Sequence, residues 1–237
     1  MNVGSSLSGL PTELFLDIVS NVPYGHTYSK NLQLVCKGFH HLMKRYEHTI
    51  AKRVLDEQFP WAHRQFPALF SHTSDACHRA HYYRALRTMY TRLATLSCIK
   101  SRCRVIRDRG SDCSAWTTSR TIRIHNAGLL ILYRLQDCGE LAANDERGQA
   151  VPGSDSITED KQALLSSLPA PSLAVLLFTL MMSIHLLRAT GPDMVLYHTT
   201  QRAESRSEIE LACEEVILRD GPEFLLGLLQ DNAKSVG

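Results

Sequence analysis

Leu10 to Tyr46 reads LPTELFLDIVSNVPYGHTYSKNLQLVCKGFHHLMKRY, and two helical registers run through it. Pro11 suits the first turn of a helix, where a missing N–H costs nothing, and Glu13 lies near the positive end of the helix dipole. Leu14, Ile18 and Asn21/Val22 then recur on one stripe, which Leu10, Phe15 and Val19 widen. Pro23, with Gly25 beyond it, breaks the period. Ser29 is a reasonable N-cap for a second helix, along which Leu32, Val35, Cys36, Phe39 and Leu42/Met43 repeat at i, i+3, i+4 and i+7. Two short amphipathic helices are marginal by themselves, so they need a partner or a neighbouring domain to cover their apolar faces. The same stripes would also suit the opening helices of one continuous core.

The spacing Leu10-Pro11-x-Glu13-Leu14, then Ile18, then Leu32-x-Leu34-Val35-Cys36-Lys37-x-Phe39-x-x-Leu42 resembles the F-box, particularly the form common in fungal proteins. The resemblance covers roughly residues 8 to 50, about a fifth of the chain. Its link from Val22 to Leu32 is slightly longer than usual and lacks the common acidic residue before the second helix. The resemblance implies that Leu10, Pro11, Leu14, Phe15, Ile18, Leu32, Leu34, Val35, Cys36, Phe39 and Leu42 pack on a Skp-type adaptor, which joins such a protein to a cullin and a RING subunit. It implies an F-box over residues 1–55 and, over 56–237, a helical body that recruits another protein for ubiquitination, with no chemistry and no cofactor of its own. Each fully buried Leu, Ile, Val or Phe contributes about 1.5 to 3 kcal/mol. Several together therefore rival an association cost of roughly 4 to 15 kcal/mol.

The body reads as mostly α, an irregular helical domain rather than an array of repeats. Phe59-Pro60-Trp61 and Phe66-Pro67-x-x-Phe70 read as irregular packing segments. A helix is expected from His81 to Ile106, with Tyr82, Leu86, Met89/Tyr90, Leu93, Leu96 and Ile99 on one face. Arg residues from Arg79 to Arg109 make it the most basic stretch of the chain. Interleaved with Tyr82, Tyr83 and Tyr90, they would suit phosphates and bases, giving a helical nucleic-acid-binding protein as an alternative function. Otherwise they form a solvated face whose heads pair with the C-terminal acids, among them Glu210, Glu223 and Asp220, or Arg84, Arg87, Arg92 and Arg104 hold an acidic segment of the recruited protein. Thr118 to Cys138 reads as a helix ended by Gly139 and weakened by Gly128, with a strand over Thr117 to Ile124 as the other reading. A loop is expected over 139–159, then helices over Asp160–Leu168, Ser172–Arg188, Ser207–Arg219 and Pro222–Asp231, with Gly221 ending one helix and Pro222 opening the next.

Across 237 residues, 44% hydrophobic and 21% charged residues are those of an ordinary globular chain, and a net charge of +2 demands no polyanionic partner. Seven Cys without a regular framework fit a reducing compartment, and the N-terminus has no basic and apolar leader pattern, so the cytoplasm or nucleus is expected. Leu173 to Leu187 is apolar, but it is shorter than the ~20 residues of a span, and is expected as a buried core helix. His72, Cys77, His78, His81, Cys98, Cys103 and Cys113 lack the tight paired spacing of a zinc site, so no metal is expected. Cys98 and Cys103 read as small core residues. No phosphate loop, nucleophile elbow or HExxH occurs, and no enzyme is expected.

Overall fold

The computed structural model describes residues 11–25, 27–70, 81–108, 118–145, 155–190 and 203–231. Among them every regular element is a helix: α1 Thr12–Asn21, α2 Tyr28–Gln33, α3 Lys37–Arg45, α4 Glu47–Gln58, α5 Ala62–Gln65, α6 Pro67–Phe70, α7 His81–Asp108, α8 Ser119–Asp145, α9 Asp155–Ser167, α10 Ala170–Thr190, α11 Ala203–Asp220 and α12 Pro222–Asp231. The mostly α class is as the periodicity predicts. Contacts divide the chain into two compact units, one to Thr91 and one from Arg92, so the division falls inside α7.

In the first unit, α1 starts at Pro11, whose carbonyl accepts from Phe15 N–H (3.1 Å), and packs mainly on α4. The cover that two short helices need is supplied by Ile50, Ala51, Val54 and Leu55, four core residues of α4, an element the N-terminal pattern does not announce. A single side chain of α4 closes the end of α1. Gln58 Nε2 donates to Ser20 O (2.6 Å) and Val22 O (2.9 Å), while its Oε1 accepts from Tyr24 N–H (2.9 Å). Helix ends leave carbonyls without partners, and Gln58 supplies them where Pro23 forbids the helix to continue. Tyr28 donates to Val19 O (2.5 Å) and stacks near Tyr24 (5.1 Å), pinning the link back on α1.

The expected second helix is broken in two. The chain leaves α2 through i to i+3 hydrogen bonds, Leu34 N–H to Asn31 O (3.2 Å) and Val35 N–H to Leu32 O (3.3 Å). It restarts at Cys36, whose extended backbone and Sγ, accepting from Phe39 N–H (3.4 Å), cap α3. The Pro-bracketed aromatic stretches fold into the short α5 and α6, with Phe66 and Phe70 buried.

The second unit is built around α10, which packs on α8, α11 and α12. Its core joins Ile99 and Cys103 of α7, Leu129, Leu132 and Leu135 of α8, Leu180 and Leu187 of α10, Ile217 of α11 and Leu225 and Leu229 of α12. Cys103 is a core residue as expected, whereas Cys98 is exposed. The helix over Thr118 to Cys138 is present, but it does not stop at Gly139: α8 continues to Asp145 and α9 starts at Asp155, so helix replaces both ends of the expected 139–159 loop, while 146–154 lie outside the described residues. The strand reading of Thr117 to Ile124 gives way to helix from Ser119 onward, with Thr117 outside the described residues. Gly221 takes φ +76° between α11 and α12, a conformation open to glycine, and a Cβ there would lie 2.3 Å from the Gln136 amide.

Gly128 is where α8 and α10 meet. A Cβ at this position would stand 1.9 Å from Thr179 Oγ1 and 3.0 Å from Val175 O. Around this crossing Thr179 Oγ1 donates to Val175 O (2.8 Å), Ser183 Oγ donates to Thr179 O (2.8 Å), and His125 Nε2 lies 3.1 Å from Ser183 Oγ. With the Ser183 proton already committed, His125 donates through Nε2–H, and Nδ1 is left as a buried acceptor without a partner. Burial pushes the imidazole down to about 4.

Candidate functional site

The residues of the N-terminal motif are sorted by the fold into an interior set and an exterior set. Phe15 and Phe39 face inward and meet edge to face, ring centroids 4.9 Å apart, so α1 is bolted to α3. Their expected place on a docking surface is corrected: at 1% and 7% exposure they hold the helices together and offer a partner nothing. Leu14 and Ile18, by contrast, are 50% and 49% exposed, one turn apart on the opposite side of α1. Leu34 (73%) and Val35 (54%) project from the α2–α3 break, beside the exposed Cys36. Leu32 and Leu42 are half-buried, Pro11 is exposed, and Leu10 lies outside the described residues.

Local sequence explains the sorting. In α1, Phe15, Leu16 and Val19 form the buried arc, and Leu14 and Ile18 fall outside it by register alone. At the break, the thiol cap turns the backbone so that three consecutive residues, Leu34, Val35 and Cys36, leave the helical stripe that would have tucked Val35 and Cys36 inside. Isolated exposed leucines are ordinary, but a one-turn pair and a consecutive pair, both flanking the Phe15–Phe39 contact, form two apolar ledges of the kind that marks an interaction site. Asp17, on the same helix, pairs with Arg53 of α4 and so belongs to the frame.

The exposed members of the basic stretch on α7 fall in both units. Arg84 and Arg87 are exposed in the first unit and Arg104 in the second, while Arg79 and Arg109 lie outside the described residues. Arg92 is corrected from a substrate-binding candidate to a buried structural cation. Its Nη1 and Nη2 donate to Asp137 Oδ2 (3.0 Å) and Oδ1 (2.5 Å), and its guanidinium lies 4.6 Å from the centre of the Tyr133 ring. The expected pairing with C-terminal acids is also redirected: Glu210 binds Arg188 of α10, and Asp220 binds its neighbour Arg219. The tyrosines expected to stack on bases are engaged internally, Tyr82 with His48 (4.7 Å) and Tyr83 and Tyr90 with Tyr24 (6.5 and 5.3 Å).

Sequence reasoning missed two apolar features of the second unit, on different faces of α10. A groove of about 320 Å³ runs between α8 and α10, lined by Ala127, Leu130, Ile131, Arg134, Pro171, Ser172 and Val175. On the outer side of α10, Leu173, Leu177 and Met181 are 39%, 61% and 43% exposed. By length and composition Ala170–Arg188 is also apolar enough to cross a membrane, although its other face is the core of the unit. The i, i+4, i+8 spacing of Leu173, Leu177 and Met181 was available as a signal, masked by a helix apolar all round. In comparisons with protein-family models, curated proteins and solved structures, nothing matches this chain.

Proposed function

We propose that the chain is an F-box substrate receptor, using its N-terminal ledges to dock on a Skp-type adaptor and thereby bringing a protein to a cullin-RING ubiquitin ligase in the cytoplasm or nucleus. The reading rests on one observation. Leu14, Ile18, Leu34 and Val35, all positions of the motif, stay about half exposed or more although their neighbours Phe15 and Phe39 are fully used inside. A fold that needed them only for its own core would have buried them.

Covering four half-exposed aliphatic side chains is worth about 3 to 6 kcal/mol, against an association cost of roughly 4 to 15 kcal/mol. The ledges alone therefore fall short, and the adaptor must also cover Pro11, Cys36 and the flanks of Leu32 and Leu42. In this role the chain positions its cargo and leaves the chemistry to the ligase. The test is a pull-down of the full chain with the adaptor from the same source, followed by immunoblotting for cullin, in parallel with Leu14→Asp/Ile18→Asp and Leu34→Asp/Val35→Asp. The native chain is expected to retain both proteins and both variants to lose them. Absence of the adaptor from the native chain sinks the reading; adaptor without cullin assigns the chain to work outside the full ligase.

A further inference from the structure

We infer that the outer face of α3 is a cationic steering surface, which attracts a carboxylate-bearing patch of the adaptor to the Leu34–Val35 ledge. The inference rests on the receptor reading above for the identity of the partner, and on the charge layout of the first unit for its chemistry. Lys37, His41 and Lys44 stand at i, i+4 and i+7 on α3, with His40 and Arg45 to either side, and all five are exposed. The opposite side of the helix is the one that buries Phe39 and Met43. From residue 18 to residue 46 the sequence holds no Asp or Glu. Asp17, just before that stretch, is taken by Arg53, and Glu47, just after it, lies in the first turn of α4, where the dipole of that helix suits it. Among the described residues Lys37, Lys44 and Arg45 form no ion pair. On α4, by contrast, the exposed Lys52 is accompanied by the exposed Asp56 and Glu57.

The fold itself gives no reason for one of these charges. Lys37 is the first residue of α3, in a first turn without an acidic residue, and a cation at that end opposes the helix dipole. A local rule broken without gain to the fold points to a partner that sets the residue. Lys37 also follows Val35, 54% exposed, by two positions, so cationic and apolar surface adjoin. The phosphates of a nucleic acid would meet the cations and leave Leu34 and Val35 uncovered. An anionic bilayer would accept both, but two aliphatic side chains and three Lys or Arg charges are fewer than lasting attachment takes. A second copy docking through this same face would set cation against cation. A protein surface with carboxylates beside an apolar patch matches the whole corner, and charges at the rim of such a contact act mainly on the rate of encounter.

The test measures association and dissociation rates of the full chain with the adaptor from the same source by biolayer interferometry, from about 50 to about 500 mM NaCl. The native association rate is expected to fall by about tenfold across that range, with the dissociation rate little changed. At low salt Lys37→Glu is expected to slow association by about threefold and Lys37→Glu/Lys44→Glu by about tenfold, while Lys37→Arg/Lys44→Arg keeps the native rate. Glutamate suits a first turn, so Lys37→Glu should leave thermal stability equal or raised, which separates docking from folding. Arg120→Glu/Arg123→Glu, at exposed positions of the second unit, makes the same change of net charge as the lysine pair and is expected to stay within about twofold of the native rate. A native chain that does not bind the adaptor at all removes the receptor reading and this inference together. Adaptor binding whose rate ignores salt, or ignores Lys37→Glu/Lys44→Glu, or slows equally in Arg120→Glu/Arg123→Glu, overturns the inference alone and leaves the receptor reading standing. Phosphatidylserine vesicles or an oligonucleotide held through Lys37 and Lys44, with adaptor association unchanged by their reversal, overturn it likewise.

Discussion

The N-terminal motif and the α8–α10 crossing treat the hydrophobic effect in opposite ways. At the N-terminus apolar side chains are left outside, Leu14, Ile18, Leu34 and Val35, while at the α8–α10 crossing and beside it polar ones are taken inside, His125, Thr179, Ser183, Arg92 and Asp137. Groups left outside add little to the stability of the free chain and are available to a partner. Groups taken inside must find partners within the unit, and their geometry fixes which residues face each other. The polar groups thus fix register at the crossing, whereas Leu14, Ile18, Leu34 and Val35 stay uncovered.

The largest expected break in that contrast is Arg92→Ala. It strands Asp137 in a site where both partners are 5% exposed, at about 3 to 5 kcal/mol. Chemical denaturation checks it, and Arg92→Met/Asp137→Leu should recover most of the loss, because an apolar pair needs no solvation. Acid should produce the next largest effect, through His125. Its folded value of about 4 lies below the ordinary 6.5, so between these values the unfolded chain binds a proton that the folded chain refuses. That contribution to stability is intact above pH 6.5 and is lost as pH falls toward 4, by a few kcal/mol in total. Denaturation across this window should show a slope that His125→Gln removes. An unchanged slope would mean that the imidazole reaches water.

Gly128→Ala comes third, at about 1 to 3 kcal/mol, because its methyl group must displace Thr179 at the helix crossing. Gly227→Ala, whose Cβ would meet nothing within 4 Å, is the matched control and should be neutral or slightly stabilising. Smallest for stability is Leu14→Ser/Ile18→Ser, expected to stay within about 0.5 kcal/mol of native by the same denaturation. Large destabilisation by this pair would turn the ledge back into core and end the contrast between the units.

Much of the helical plan was legible in the sequence, since long periodic segments such as 81–106, 172–188 and 222–231 need only local information. What escaped depended on distant partners or on weak local signals. Helix α8 runs past Gly139, so a glycine at a plausible cap position was outweighed by the helix on both sides of it. Cys36 as an N-cap is an unusual choice beside Ser or Asp, and its effect, splitting the second helix, moved Val35 and Cys36 from the inner stripe to the outside. Phe15 and Phe39 were indistinguishable from Leu14 and Leu34 in the motif, because which apolar residue is internal depends on where α4 lies. Gly128 looked like a weakness of its helix, and only Thr179, 51 positions away, gives it a reason.

The thiol that caps α3 has a further use. Cys36 is exposed and sits between the Leu34–Val35 ledge and the helix it caps, whereas Cys103 is sealed in the other unit. Alkylation with a small maleimide therefore makes the chain its own footprint. The rate at position 36, read by mass spectrometry against the protected Cys103, reports how long that corner stays bare, turning occupancy of the surface into a clock that needs no label on the partner.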